Sequence, residues 1–366
     1  MIGEPGASVG LAHDYLLVMR GAERTFAAIA ELAPAAPVYT LLYDRDGTEG
    51  RFEGHRVVTS PLQRLGAGQR NFRSLLPLMP AATARLPAGG HDLVVSSSSA
   101  FAHGVPTGDA VHVCYCHSPF RYAWFERERA LQEVARPLRP ALAATLAGIR
   151  RWDKRAARRV TRYVANSRLT QENIRRFWHR ESDVVHPPVD VERFAPGEPE
   201  DFLLMVGEVV RHKRLPVALE AAQRARLRVV VVGDGPDLAE LRARYGDTHE
   251  FRGRVSDREL ADLYPRALAL VVPGVEEFGI AAVEAQAAGR PVVGVAAGGL
   301  TETVIPGETG QLVPMDDVGA MAEVLRETDF ARFDPARIRA NAERFSRQSF
   351  QRRLSEAVAQ ALAARA

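Results

Sequence analysis

Short apolar runs, each stopped by glycine, proline or a polar cluster, alternate along this chain with longer stretches whose apolar residues recur at helical spacing. The runs predict strands at 8–14, 38–43, 93–95, 111–116, 163–165, 184–185, 202–206, 227–232, 267–272 and 292–295. The longer stretches predict helices at 22–32, after the capping pair Asn166-Ser167, at 280–288, at 316–328 and, as one helix or two, at 340–364. Strand and helix alternate in both halves, which argues for two parallel-sheet α/β domains. The Pro-rich break His186-Pro187-Pro188-Val189-Asp190 follows a strand and reads as the hinge between them. A length of 366 residues suits two domains.

The stretch 271–304, VVPGVEEFGIAAVEAQAAGRPVVGVAAGGLTETV, organises the second half. Pro273 and Gly274 end a strand, Gly289 and Pro291 end a helix, and another strand begins at Val292. Glu276 precedes the helix, Glu284 lies in its early turns, and Gly279 stands between them. A helix start presents unpaired N–H groups and a partial positive charge, so it favours an anion such as a diphosphate. Gly279 lets backbone approach that anion closely. An ionised carboxylate only accepts hydrogen bonds, so the two acids suit the hydroxyls of two sugars, the transferred one and a ribose. Spacing alone leaves a second reading open, in which strand and helix are ordinary core and both acids are solvated.

Glu276-Glu277-Phe278-Gly279-Ile280 through Glu284-Ala285, then Ala288-Gly289-Arg290-Pro291-Val292-Val293, Gly298-Gly299 and Glu302, resembles the E-x7-E region of family-4 retaining glycosyltransferases. The resemblance implies the α/β GT-B fold: two Rossmann-like parallel-sheet domains facing an inter-domain cleft, with a C-terminal helix crossing back to the first domain. Residues 1–190 are then the acceptor domain, 191–345 the nucleotide-sugar domain and 346–366 the returning helix. It also implies that Glu276 holds hydroxyls of the transferred sugar, Glu284 the ribose, and the backbone at Phe278, Gly279 and Ile280 the donor diphosphate. The family has Gly where this chain has Glu277.

Gly207 to Lys213 resembles the family's G-R-x-x-x-x-K, whose Arg and Lys grip the diphosphate. Lys213 matches, Glu208 stands at the Arg position, and Arg211 or Arg214 remains as a substitute. Gly233 opens another strand-end turn, and Gly253-Arg254-Val255 resembles the segment that meets the nucleotide base. In the first half, Arg20-Gly21-Ala22-Glu23 resembles a G-G-A-E turn that lines the donor and acceptor cleft, with Arg20 replacing the first Gly. Tyr115 to Trp124, YCHSPFRYAW, is similar to the branch containing bacterial O-antigen and exopolysaccharide mannosyltransferases. That similarity implies His117 against the transferred sugar and GDP-mannose as donor, with UDP-linked sugars as the main competitor. His117, Glu276 and Lys213 are the expected catalytic residues.

Charge adds a candidate partner. Residues 1–190 carry 25 Lys+Arg against 18 Asp+Glu, a balance of +7; the remainder carries 23 against 27, or −4. A basic half suits an anionic membrane surface, a diphosphate lipid or nucleic acid, or it is a solvated face. With the family resemblance, the expected acceptor is a polyprenyl-diphosphate-linked saccharide or other glycan, and no nucleic acid is expected. Seven bases at 150–162 predict a basic helix stripe. Between residues 61 and 87, Arg64, Arg70, Arg73 and Arg85 interleave with large apolar residues, as in an interfacial segment or a core-packed helix with a basic side.

Other candidates are local. His13 and Asp14 end the first strand, and Ser96 to Ser99 end the one at 93–95; they line a binding edge or simply close turns. Asp44-Arg45-Asp46 is formally a D-x-D metal pattern but runs into Gly47 and a polar stretch, so it reads as a surface turn, and no metal is expected. Cys114 and Cys116 fit no common zinc spacing and read as small buried residues. The start, MIGEPGASVG, lacks a signal-peptide build, and no apolar run spans a membrane, so a cytoplasmic place is expected, peripheral on the inner membrane face if the basic half docks there. Three rival functions stand: a transferase for a soluble natural-product acceptor, a sugar-nucleotide 2-epimerase, and a non-catalytic nucleotide-sugar binding protein.

Overall fold

The structure is a computed structural model that describes residues 2–3, 6–66, 68–69 and 71–365. The chain forms two compact units, Met1–His186 with Gln351–Ala366, and Pro187–Phe350. Each is built on one all-parallel sheet. The first sheet has β1 (Val9–His13), β2 (Val38–Thr40), β3 (Val57–Thr59), β4 (Leu93–Ser98), β5 (Val111–Cys116), β6 (Arg162–Ala165) and β7 (Ser182–Val184) in the order β3-β2-β1-β4-β5-β6-β7. The second has β8 (Leu203–Val206), β9 (Val229–Val232), β10 (Glu250–Gly253), β11 (Ala269–Val272), β12 (Val292–Val295) and β13 (Gly310–Val313) in the order β10-β9-β8-β11-β12-β13. The central strands of the second sheet, β8, β9, β11 and β12, read as apolar runs, as strands buried on both faces do.

The strands that apolar runs do not predict, β3, β10 and β13, all lie at sheet edges. An edge strand buries less of itself and tolerates polar residues, as EFRG in β10 and GQLV in β13 show. The predicted end of β4 is corrected in the other direction. Ser96, Ser97 and Ser98 belong to the strand and are buried, each hydroxyl engaged by a protein partner. Buried hydroxyls are tolerated when so paired.

The expected basic stripe is also corrected. The helix Arg139–Ala157 starts well before residue 150 and ends before Arg158, while Arg162 opens β6. Arg150 donates to the Ala123 carbonyl and, with Lys154, lies over the Trp124 ring, at 4.9 and 5.4 Å. Arg162 pairs with Asp183 at 2.5 Å and also donates to Gln360. Arg151, Arg155, Arg158 and Arg159 stay exposed. The segment 61–87 forms two 3₁₀ turns and a short helix. Leu62 and Met79 are buried, and Phe72, Leu75 and Leu76 pack on the core, while Leu65 and Leu78 are exposed. Arg70 lies outside the described residues.

Several turns act as expected. Ser167 caps the helix Arg168–Trp178 by accepting from Thr170 N at 3.2 Å. The Asp44 carboxylate accepts from the backbone of Asp46 and Gly47 at 3.1 and 3.0 Å, closing a surface turn. Cys114 and Cys116 are free and fully buried, and burial pushes both thiols up from their ordinary range. The last region is two helices, Pro335–Glu343 and Arg347–Ala363. Gln351 reaches the Ala28 carbonyl and the Glu31 carboxylate in the first unit, at 3.1 and 3.0 Å. Among the described residues, no helix is long and apolar enough to cross a membrane.

Asp14 fixes the loop after β4. Its buried carboxylate accepts from the backbone of Ser99, Phe101 and Ala102 at 2.6, 2.7 and 2.6 Å, and from the Ser98 hydroxyl at 3.2 Å. These bonds use the side chain for structure rather than leaving it to face a ligand. Asp14→Ala strands three backbone donors, so it should cost about 3 kcal/mol of stability, read as a lower urea midpoint at unchanged slope.

Candidate functional site

Parallel pairing brings all the carboxyl ends of the second sheet to one edge, where the turns after its strands meet. Their close packing requires glycine. A Cβ on Gly233, whose φ is +139°, meets the Gly207 carbonyl oxygen at 1.7 Å, and one on Gly274 comes within 2.8 Å of Lys213 Cα. Gly299 donates to the Glu276 carbonyl at 2.8 Å, and a Cβ there meets Phe278 Cα at 2.3 Å. The loops after β8, β9, β11 and β12 are thus locked backbone to backbone.

This packing brings Lys213 and Glu276 together. Lys213 ends the 3₁₀ turn Arg211–Lys213 after β8, and Glu276 lies in the loop after β11. The Lys213 Nζ is 2.5 Å from both Glu276 oxygens, with the side chains 25% and 24% exposed. A charge-assisted pair this short holds both groups in place while still open to solvent. Three residues on, Gly279 takes the left-handed conformation at φ +89° and opens the helix Ile280–Ala287. Its first N–H groups have no intrahelical acceptor and carry the positive end of the helix dipole.

That helix is held almost entirely inside the unit. Ala282, Val283, Ala285 and Ala287 are buried, as is Phe278 before it. Arg339 donates to the Ala287 carbonyl at 2.6 Å, and Asn341 to Gln286 Oε1 at 2.6 Å and the Thr303 carbonyl at 2.8 Å. Glu284 is half-exposed, as are Ile280 and Ala281 at the helix start, and it accepts a 2.7 Å bond from the Tyr264 hydroxyl. Burial, then the Glu284 charge, raises the Tyr264 phenol well above its ordinary range, so it stays a donor. Sequence reasoning did not single out Tyr264; only the fold brings it to Glu284.

The other expected residues of this unit are dispersed around the same strand ends. Arg254 is exposed, 3.6 Å from Asp234, and Val255 packs at the rim of the core. Glu208 and Arg211 are exposed. Arg214 is paired with Asp316 at 3.2 Å.

In the first unit, Gly21 opens the helix Gly21–Ala30, and the Glu23 carboxylate accepts from Arg20 N at 3.1 Å. His117 follows β5, half-buried. Its Nε2 is 2.8 Å from Ser97 Oγ, and Ser97 Oγ is 3.2 Å from His13 Nδ1. Ser97 therefore links His13 to His117, a connection visible only with the strand order. Among the described residues, no group of three or more His, Cys, Asp or Glu forms a metal-binding cluster.

Burial, and secondarily the neighbouring His13, pushes His117 down to about 3; burial does the same to His112. Both rings are thus neutral in the folded protein at pH 5, whereas in the unfolded chain they take up protons below about 6.5. Stability from these groups is full above 6.5 and falls as the pH drops toward 3. NMR titration should find both rings uncharged at pH 5, and His112→Gln should remove about one proton of the uptake that accompanies unfolding there.

Residues 19–193 match the family described as Glycosyltransferase Family 4, and residues 189–344 match Glycosyl transferases group 1. The chain is 38% identical over 211 residues to a D-inositol 3-phosphate glycosyltransferase of Streptomyces avermitilis, covering 48% of this chain and 45% of that protein. The chain spans about half the length of the curated relatives it matches. Among solved structures, HepE of Anabaena in complex with UDP has a TM-score of 0.70 at 17% identity, covering 96% of this chain and 100% of that one. Sucrose-phosphate synthase from Thermosynechococcus elongatus has a TM-score of 0.72 at 19% identity, covering 98% of this chain and 100% of that one. These likenesses fix the fold as GT-B.

Proposed function

We propose that this chain, which carries a family-4 and a group-1 glycosyltransferase domain in the GT-B fold, transfers a sugar from a nucleoside-diphosphate donor with retention of anomeric configuration. The observation that carries the reading is the Lys213–Glu276 pair beside the Gly279 helix start. A cation, a hydroxyl acceptor and free N–H groups converge at one strand edge, the set that a sugar diphosphate needs.

In this reading Glu276 holds hydroxyls of the transferred sugar and Glu284, oriented by Tyr264, holds the ribose. Lys213 and the backbone at Phe278, Gly279 and Ile280 stabilise charge as it grows on the leaving diphosphate, where a fixed cation acts most strongly. Of the two spare arginines, Arg211 is the better substitute at the Glu208 site, because Arg214 is engaged by Asp316. The bond from the anomeric carbon to the diphosphate oxygen breaks as the acceptor oxygen bonds on the same face. The acceptor proton passes to the leaving phosphate, so neither a metal nor a covalent nucleophile is required.

Mannose from GDP-mannose is the donor we favour, on the Tyr115 to Trp124 block. A lipid-linked or other glycan is the acceptor, reached from the cytoplasmic membrane face through the exposed Arg151, Arg155, Arg158 and Arg159. A second reading has support of its own: the similar HepE structure was solved with UDP, which favours a UDP-sugar, and the curated relatives point to a small soluble acceptor. Calorimetry of the purified protein against GDP-mannose and a panel of UDP-sugars separates these donors. Glu276→Ala should lower transfer by about a thousandfold while the thermal melt is retained. Chelator should leave turnover unchanged; strict metal dependence would overturn the cationic-lysine reading.

A further inference from the structure

The sheet itself builds a three-residue wire behind His117. His13 and Ser97 are register partners on β1 and β4, Ser97 and Tyr115 on β4 and β5, and His117 lies two residues beyond Tyr115. Strand alternation therefore puts His13, Ser97 and His117 on one face. The fully buried Ser97 hydroxyl sits between two ring nitrogens, 3.2 Å from His13 Nδ1 and 2.8 Å from His117 Nε2.

A hydroxyl has one proton to donate and lone pairs to accept with. Between two imidazoles it donates to one nitrogen and accepts from the other, so the two tautomers are linked. A lone pair on His13 Nδ1 takes the Ser97 proton, and Ser97 then accepts from His117 Nε2–H. A proton on His13 Nδ1 reverses the chain and leaves the His117 proton on Nδ1. Glu23 Oε1, 3.9 Å from His13 Nε2, favours N–H on that nitrogen and hence the first arrangement.

Both ends of the wire are held. The His13 ring stacks on Phe26 at 4.8 Å and 17°. The His117 backbone donates to the Ser98 carbonyl at 2.9 Å and accepts from the Thr170 hydroxyl at 3.0 Å. Among the described residues, His117 Nδ1 makes no hydrogen bond.

We infer that Ser97 and His13 are positioning residues that hold His117 in its Nε2–H tautomer and so present Nδ1 as an acceptor for a hydroxyl of the transferred sugar. This rests on the glycosyltransferase reading above and on the sugar contact that the resemblance of the Tyr115 to Trp124 block implies for His117. It gives the site a chemical preference: a donor sugar lacking that hydroxyl leaves a lone pair unpaired and is disfavoured.

The full chain labelled with ¹⁵N-histidine, observed by long-range ¹H–¹⁵N NMR without substrate, tests the wire. The His117 signals are assigned by their loss in His117→Gln. The expected result is a single Nε2–H tautomer that becomes a mixture in Ser97→Ala and in His13→Phe. With it, kcat/KM for the donor falls about tenfold in Ser97→Ala, the effect of one misplaced hydrogen bond. A wild-type ring that populates both tautomers, or a tautomer unmoved by either substitution, overturns the inference. Full turnover by His117→Gln would remove the sugar contact, and with it the second half of the proposal, while the NMR result still decides the first.

Discussion

Every strand in both sheets runs parallel to its neighbours, and this constraint shapes all else in the protein. A parallel sheet needs a crossover after each strand, so all the strand-to-helix turns collect along one edge. Helix starts and loop carboxylates collect there too. In the second unit this edge joins a lysine after β8 to a glutamate after β11, 63 residues apart in sequence.

The same constraint explains where glycine is indispensable. Turns crowded along one edge approach backbone to backbone, and the space at Gly233, Gly274 and Gly299 admits no side chain. The rigid edge that results lets Lys213 and Glu276 keep a short contact while remaining partly open. A flexible edge would spend interaction energy on ordering these groups when a ligand arrives.

Polar groups inside the first unit follow a second rule. The sheet buries His13, Asp14, Ser96, Ser97 and Ser98, and each is tolerated because another strand supplies a partner. Asp14 is spent on backbone donors and keeps the loop after β4 in place. Ser97 faces two imidazoles, one of which sits half-open at the end of β5. Adjacent residues of one strand thus divide between holding the fold and serving His117, according to the sheet face each points to.

Local chemistry made much of this legible from the chain alone. Apolar runs, glycine stops and capping residues revealed the central strands and the helix after Gly279, because backbone sterics and burial act over a few residues. Edge strands escaped notice because half-exposed positions impose no apolar run. The extent of β4 was misjudged because serines seldom occupy a buried strand unless distant partners await them. Those partners, with the Tyr264 bond to Glu284 and the pairing of Lys213 with Glu276, were decided only by tertiary structure. Strand order and register set which remote side chains meet, and no pattern within a short window of sequence encodes either.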